Sequence, residues 1–185
     1  MTQMGSQEEV ANRMSDDLSL RLGGTVKVKL FSIQNYPGQV KTMPGLSLDH
    51  LTLPAGGEIS TYETEPGLLE FDPHSSEIIQ KTFSTTVFRS LCPVTGQPDL
   101  ASVMINYKGR AISPEGLLKY LVSYRCHKGF HEQCVEQIYH DMRTVFQPEL
   151  LEVYACFTRR GGIDINPFRS SVREQPDEVI REMRQ

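Results

Sequence analysis

The chain has 185 residues, a formal net charge of -4 and 38% hydrophobic residues. That length supports one good core or two small ones, and the acidic balance argues against a sequence-independent nucleic-acid surface, which needs a basic footprint. No apolar run approaches the ~20 residues of a membrane span and no basic stretch followed by an apolar one opens the chain, so a cytoplasmic protein with no membrane partner is expected.

Residues 6 to 22 read as an amphipathic helix, with Ser6 as cap, Val10, Met14 and Leu18 at helical spacing, and Gly23 and Gly24 as the stop. The run TVKVKLF alternates, Val26, Val28 and Leu30 against Lys27 and Lys29, and predicts a half-buried strand. Residues 33 to 58 carry Pro37, Gly38, Pro44, Gly45, Pro54, Gly56 and Gly57 and read as loop with short strand pieces. Threonine, isoleucine and phenylalanine favour a strand from Glu77 to Phe88, and LASVMINYK (residues 100 to 108) alternates up to Gly109 as a second. Ser113 followed by Pro114 is a helix start. A further helix spans residues 130 to 146, with Phe130, Cys134, Ile138 and Met142 inward and Pro148 behind it. LLEVYACFTRR is then a strand, followed by Gly161 and Gly162, and a charged tail from Arg173 is expected to be loose. Grouped strands and grouped helices indicate α+β, an antiparallel sheet covered on one face. Without strand–helix alternation or a G-x-G-x-x-G run, a Rossmann fold is not expected.

The residues able to carry chemistry are few. Cys92 and Asp99 flank a stretch containing Pro93, Gly96 and Pro98, which must bend and can bring the two side chains together. On spacing alone two readings stand: a core cysteine beside a turn aspartate, the commoner fate of a free cysteine, or a nucleophilic thiolate with its own acid. In FHEQC, His131 can move protons near neutral pH and Glu132 can accept from the N–H edge of a purine-like ring, or simply sit as a first-turn acid at the positive helix end. In TRRGG, paired arginines before paired glycines suit a phosphate group, or a plain turn. Cys126, His127, His131 and Cys134 cluster, but Gly129 interrupts them and clean paired spacing is absent, so no metal is expected. Cys156 stands apart, and a reducing compartment leaves all four thiols free.

Together SLCPVTGQPDLASV, GLLKYLVSYRCHKGFHEQCVEQIYHD and LEVYACFTRRGGIDINPFRS closely resemble the NADPH-dependent 7-cyano-7-deazaguanine reductases, the preQ0 nitrile reductases of queuosine (tRNA-modification) biosynthesis, in their two-module form. The likeness covers most of residues 8 to 171. It implies the tunnelling fold, an antiparallel sheet with two helices packed on one face, shared with GTP cyclohydrolase I. It implies that Cys92 attacks the nitrile carbon to form a thioimide, that Asp99 protonates the nitrogen, that His131 and Glu132 hold the deazaguanine, and that Arg160 and Gly161 contact NADPH. The expected organisation is a remnant of the first module (1–72), a complete catalytic module (73–171) and a charged tail (172–185). A homo-oligomer, a dimer, is expected, with the free base as substrate and no direct nucleic-acid contact.

One departure bears on the cofactor. The family's NADPH stretch reads E-S-K-S-x-K-L-Y, and the nearest run here, EGLLKYL, lacks the serine–lysine pattern. The chain is thus expected to begin just after that stretch. Two alternatives follow: an amidine-forming transferase using the same thioimide scaffold, or a catalytically incomplete binding or oligomerisation module.

Overall fold

The computed structural model describes residues 5–35, 40–53 and 57–185. It divides into two compact units, Met1–Gly38 and Gln39–Gln185. Pro37, Gly38, Pro54 and Gly56 of the expected loop lie outside the described residues.

In the first unit, α1 (Gln7–Leu22) starts where the sequence sets it. Ser6 Oγ accepts from the Glu9 N–H at 3.1 Å, Glu8 and Glu9 lie beside the positive helix end, and Gly23 closes the helix at φ 66°. No residue of α1 is buried within the described structure. The TVKVKLF run is not a strand, which corrects the expectation. It has no regular secondary structure and is tied back to α1: Ser15 Oγ donates to the Val26 carbonyl (2.5 Å) and the Val26 N–H donates to Ser19 Oγ (2.9 Å). Alternation makes a strand only where a neighbouring strand completes the ladder, and none pairs with this run among the described residues.

The second unit is a five-stranded sheet in the order β1 (Leu46–Ser47), β2 (Ile78–Leu91), β3 (Pro98–Arg110), β4 (Leu150–Phe157) and β5 (Phe168–Ser170). The long strands are antiparallel, as expected for α+β, while the two-residue β1 joins β2 in parallel and makes the sheet mixed. Gly45 allows that approach: its φ is 107°, and a Cβ there would stand 2.5 Å from the Thr82 carbonyl oxygen. Two helices follow β3. In α2 (Pro114–Ser123), Ser113 Oγ accepts from the Gly116 N–H at 3.0 Å and Pro114 opens the first turn. In α3 (His131–Phe146), Gln133 Oε1 accepts from the Phe130 N–H at 3.0 Å, half of a capping box whose other half phenylalanine cannot supply.

Phe83, Phe88, Val103, Ile105, Tyr107, Val153 and Phe157 on the sheet meet Leu117, Leu121, Cys134, Ile138 and Met142 on the helices in one core. Each large side chain removed from water there stabilises the fold by roughly 1.5–3 kcal/mol. Phe130 is a correction: it is the cap residue of α3, 51% exposed, whereas Cys134, Ile138 and Met142 are fully buried as expected.

The other face of the sheet is not bare. Tyr154 and Cys156 meet Met43 and Ile180 there. Glu182 is buried, accepting from the Met43 N–H (2.8 Å) and from Ser102 Oγ (2.7 Å), and Arg181 bridges to Val40. The tail expected to be loose is docked, because Ile180 buries apolar surface and the polar groups around it find partners. Among the described residues no helix is long and apolar enough to cross a membrane.

Candidate active site

β2 and β3 form a hairpin whose tip carries Cys92. The Cys92 N–H donates to the Gln97 carbonyl and the Gly96 N–H donates to the Cys92 carbonyl, both at 2.8 Å, with Gly96 at φ 70°. The thiol is half-buried. Its pKa is lowered, first by a hydrogen bond from the Thr95 side chain, then by the backbone N–H groups of Thr95 and Val94; partial burial opposes this, and Arg160 adds a smaller pull. Cys134 and Cys156 are pushed the other way by burial, to about 11 and about 12. Of these three, only Cys92 has the surroundings of a reactive thiol.

Asp99 is in β3, paired with Ser90 of β2, and is 2% exposed. Its orientation depends on an irregularity in β2. The register shifts between Thr85 and Phe88, where the Thr86 N–H donates to both carboxylate oxygens of Asp49 (3.1 and 2.9 Å). The bulge changes the phase of β2, so that Phe88 and Ser90 join Phe83 and Thr85 in facing the helices. Opposite them Ala101 and Asp99 face the same way, which puts a carboxylate against the first turn of α3.

Two basic side chains meet that carboxylate. His131 Nε2 lies 3.2 Å from Asp99 Oδ1, and Arg160 Nη2 forms an ion pair with the same oxygen. Asp99 Oδ1 nevertheless has no well-aligned hydrogen bond, and His131 Nδ1 has none either; both atoms are buried. The contacts are therefore close approaches rather than directed N–H···O bonds, and two polar atoms are left for a further group to engage. The His131 ring stacks on Phe157, with centroids 3.9 Å apart and planes 4° apart. Arg160 also donates to Gln97 Oε1 (3.2 Å) and to the Pro98 carbonyl (3.5 Å), tying its own loop to the Cys92 hairpin.

The Arg160 loop is a tight turn. Arg160 and Ile163 exchange backbone hydrogen bonds at 3.1 and 3.0 Å across Gly161 (φ 56°) and Gly162 (φ 82°), a two-residue turn whose positive φ angles favour glycine. Both glycines are exposed and a Cβ on either would meet nothing within 4 Å. Arg159 is held by Asp164 in a bidentate pair at 2.8 and 2.7 Å. An open backbone turn with guanidinium groups at its base fits a phosphate-bearing cofactor.

Asp99, His131 and Arg160 thus converge from β3, α3 and the β4–β5 loop, and Arg160 also reaches the Gln97–Pro98 end of the hairpin that carries Cys92. Glu132 lies next to His131 but is exposed, and no ion pair engages it among the described residues. Of the Cys126, His127, His131 and Cys134 cluster in the sequence, Cys126 is exposed, Cys134 is in the core and His127 packs edge-on against Tyr124. Three residues escaped sequence reasoning. Thr95 in C-P-V-T-G had a signal, a hydroxyl residue inside a turn. Ser90 and Phe157 had none, since each reads as an ordinary strand position.

A family model described as QueF-like protein matches residues 98–176. An NADPH-dependent 7-cyano-7-deazaguanine reductase of Bordetella parapertussis is 41% identical over 186 residues, covering 100% of this chain and 66% of that protein. One of Burkholderia mallei is 42% identical over 185 residues with the same coverage. The chain therefore spans 66% of the length of the curated relatives it matches. Among solved structures, the archaeosine synthase QueF-Like in the apo form aligns with 53% of this chain and 96% of its own, at 18% identity and a TM-score of 0.46.

Proposed function

We propose that the chain belongs with the 7-cyano-7-deazaguanine reductases it resembles at 41–42% identity, and that it carries the catalytic module for NADPH-dependent reduction of the nitrile of 7-cyano-7-deazaguanine to the aminomethyl group, within a cytoplasmic pathway to a modified tRNA base. The observation that carries the reading is the lowered Cys92 thiol on the hairpin whose second strand places Asp99 between His131 and Arg160.

The Cys92 thiolate adds to the nitrile carbon, forming a C–S bond while the broken π pair moves to nitrogen. Nitrogen takes a proton from the Asp99–His131 pair, and a thioimide results. Thr95 and the hairpin N–H groups stabilise the thiolate before attack and the departing thiolate afterwards. Glu132, at the exposed first turn of α3, accepts from the N–H edge of the deazaguanine, and His131 flanks it. Arg160 and Gly161 would hold the cofactor's phosphates. Bound NADPH supplies the hydrides for two reductions, nitrile to imine and imine to amine. Self-association as a dimer is part of the proposal, since unpaired sheet edges need covering.

The test is intact-protein mass after incubation with 7-cyano-7-deazaguanine in the absence of NADPH. The wild-type chain is expected to gain the mass of one ligand and Cys92→Ala none. An adduct on both proteins, or on neither, would remove Cys92 as the nucleophile of this chain.

A further inference from the structure

We infer that Gln185 is a positioning residue for the loop that carries Arg160. Its side-chain Nε2 donates to the Phe157 carbonyl (2.9 Å) and to Asn166 Oδ1 (2.7 Å), the two ends of the segment between β4 and β5. Its Oε1 accepts from the Glu182 N–H (3.0 Å), so donors and acceptor are all committed. One carboxamide thus closes the mouth of the 158–165 loop.

What lies on either side of that clamp gives it consequence. Phe157 offers its carbonyl to Gln185 and its ring to His131. Within the loop, the Arg159–Asp164 pair and the Arg160–Ile163 exchange make the turn stiff in itself. Outside it, the Thr158 N–H reaches the Leu100 carbonyl (2.9 Å) and the Ala155 N–H reaches Pro167 (3.1 Å). A stiff turn held at its base by those two bonds alone still pivots about them as a unit. A swing of about 1 Å is enough to matter for groups that must meet a reacting centre. Gln185 removes that freedom and so keeps the Arg160 guanidinium on Asp99, Gln97 and the Pro98 carbonyl.

The tail does not depend on Gln185 for its own docking. Ile180 is buried against Tyr154 and Cys156, the Ile180 N–H donates to Tyr154 Oη (3.3 Å), the Lys41 N–H donates to the Arg181 carbonyl (2.9 Å), and Glu182 is held by Met43 and Ser102. Arg184 also reaches the Thr86 carbonyl. The last side chain can therefore be changed with the strap in place.

Two variants test this. Gln185→Ala removes both donors, and Gln185→Glu keeps the shape but presents only acceptors to two carbonyl-type oxygens. Amide hydrogen exchange of Thr158, Arg160 and Ile163 is compared with the pH profile of Cys92 alkylation, and Arg160→Ala serves as the benchmark. Both Gln185 variants are expected to melt at the wild-type temperature, to lose protection at those amides by roughly tenfold, and to move the alkylation midpoint upward in the direction of Arg160→Ala. Gln185→Glu should be the more affected of the two. Unchanged protection in both variants would overturn the clamp. Lost protection with an unmoved alkylation profile, while Arg160→Ala moves it, would overturn the positioning of Arg160. Neither readout involves the cofactor or turnover, so the inference and the proposed reductase activity stand or fall separately.

Discussion

Cys92 differs from Cys134 and Cys156 in what surrounds the sulfur rather than in sequence neighbourhood. A thiolate needs donors; the hairpin tip provides a hydroxyl and two amides, whereas in the core burial outweighs the hydrogen bonds from Ser90 to Cys134 and from Tyr154 to Cys156. Thr95 is the largest contributor and the simplest to remove. Thr95→Val keeps the size and deletes the hydroxyl, so the charged form of Cys92 loses its strongest partner and its pKa rises. The pH dependence of iodoacetamide alkylation should shift to higher pH in Thr95→Val, while the plateau rate at high pH stays within about twofold, because the intrinsic nucleophilicity of a thiolate changes little with such a shift. An unmoved midpoint would assign the lowered thiol to the backbone amides alone.

The elements show where periodicity is a sufficient guide. α3 is legible as a helix because its apolar positions recur at 3.6, and its buried stripe of Cys134, Ile138 and Met142 is the stripe the sequence marks. The residue before it is not legible, since a phenylalanine ahead of a helix can staple inward or stand out as a cap. The difference is measurable. Met142→Ala empties a fully buried site and should lower unfolding free energy by about 2–5 kcal/mol. Phe130→Ala, at 51% exposure, should change it by no more than about 0.5 kcal/mol. Urea unfolding of the two variants separates these outcomes; equal losses would put Phe130 back in the core. TVKVKLF fails as a strand for the complementary reason. A helix satisfies its backbone within itself, but a strand needs a second segment, and no periodicity says whether one is present.

At the scale of the molecule, the far face of the sheet depends on a charged group in an unusual position. Glu152 is 1% exposed in β4 and accepts from Asn106 (3.0 Å), Ser170 (3.0 Å) and Arg173, which grips both of its oxygens. Burial pushes its carboxyl upward, but the hydrogen bonds from Arg173, Asn106 and Ser170 outweigh it, and the pKa ends below the ordinary value. A depressed folded value means that this stabilisation is complete above the unfolded carboxylate range near pH ~4.3 and is lost as pH falls through the folded value. Glu152→Gln should therefore cost roughly 1–3 kcal/mol at neutral pH, and the gap to wild type should narrow as pH falls from about 5 to 3. Urea midpoints across that range check it; a constant gap would remove Glu152 from the acid response.

The sequence by itself determined the fold class, the helix starts at Ser6 and Ser113, the buried stripe of α3, and the candidate positions Cys92, Asp99, His131 and Arg160. These rest on local chemistry: caps, turn residues, 3.6-residue and two-residue repeats, and a resemblance spread across three motifs. Only the tertiary structure decided how those positions are used. The bulge at Thr86 brings Ser90 into phase with Asp99, and it is held by Asp49, far away in the chain. Arg160 turns inward to Asp99 as well as standing at an open turn, because the Cys92 hairpin presents Gln97 and Pro98 to it. A tail that composition marks as loose is docked because Ile180 finds an apolar surface made by β4 and Met43. In each case the deciding partner is remote in sequence, and contacts between remote segments leave no periodic trace in either one.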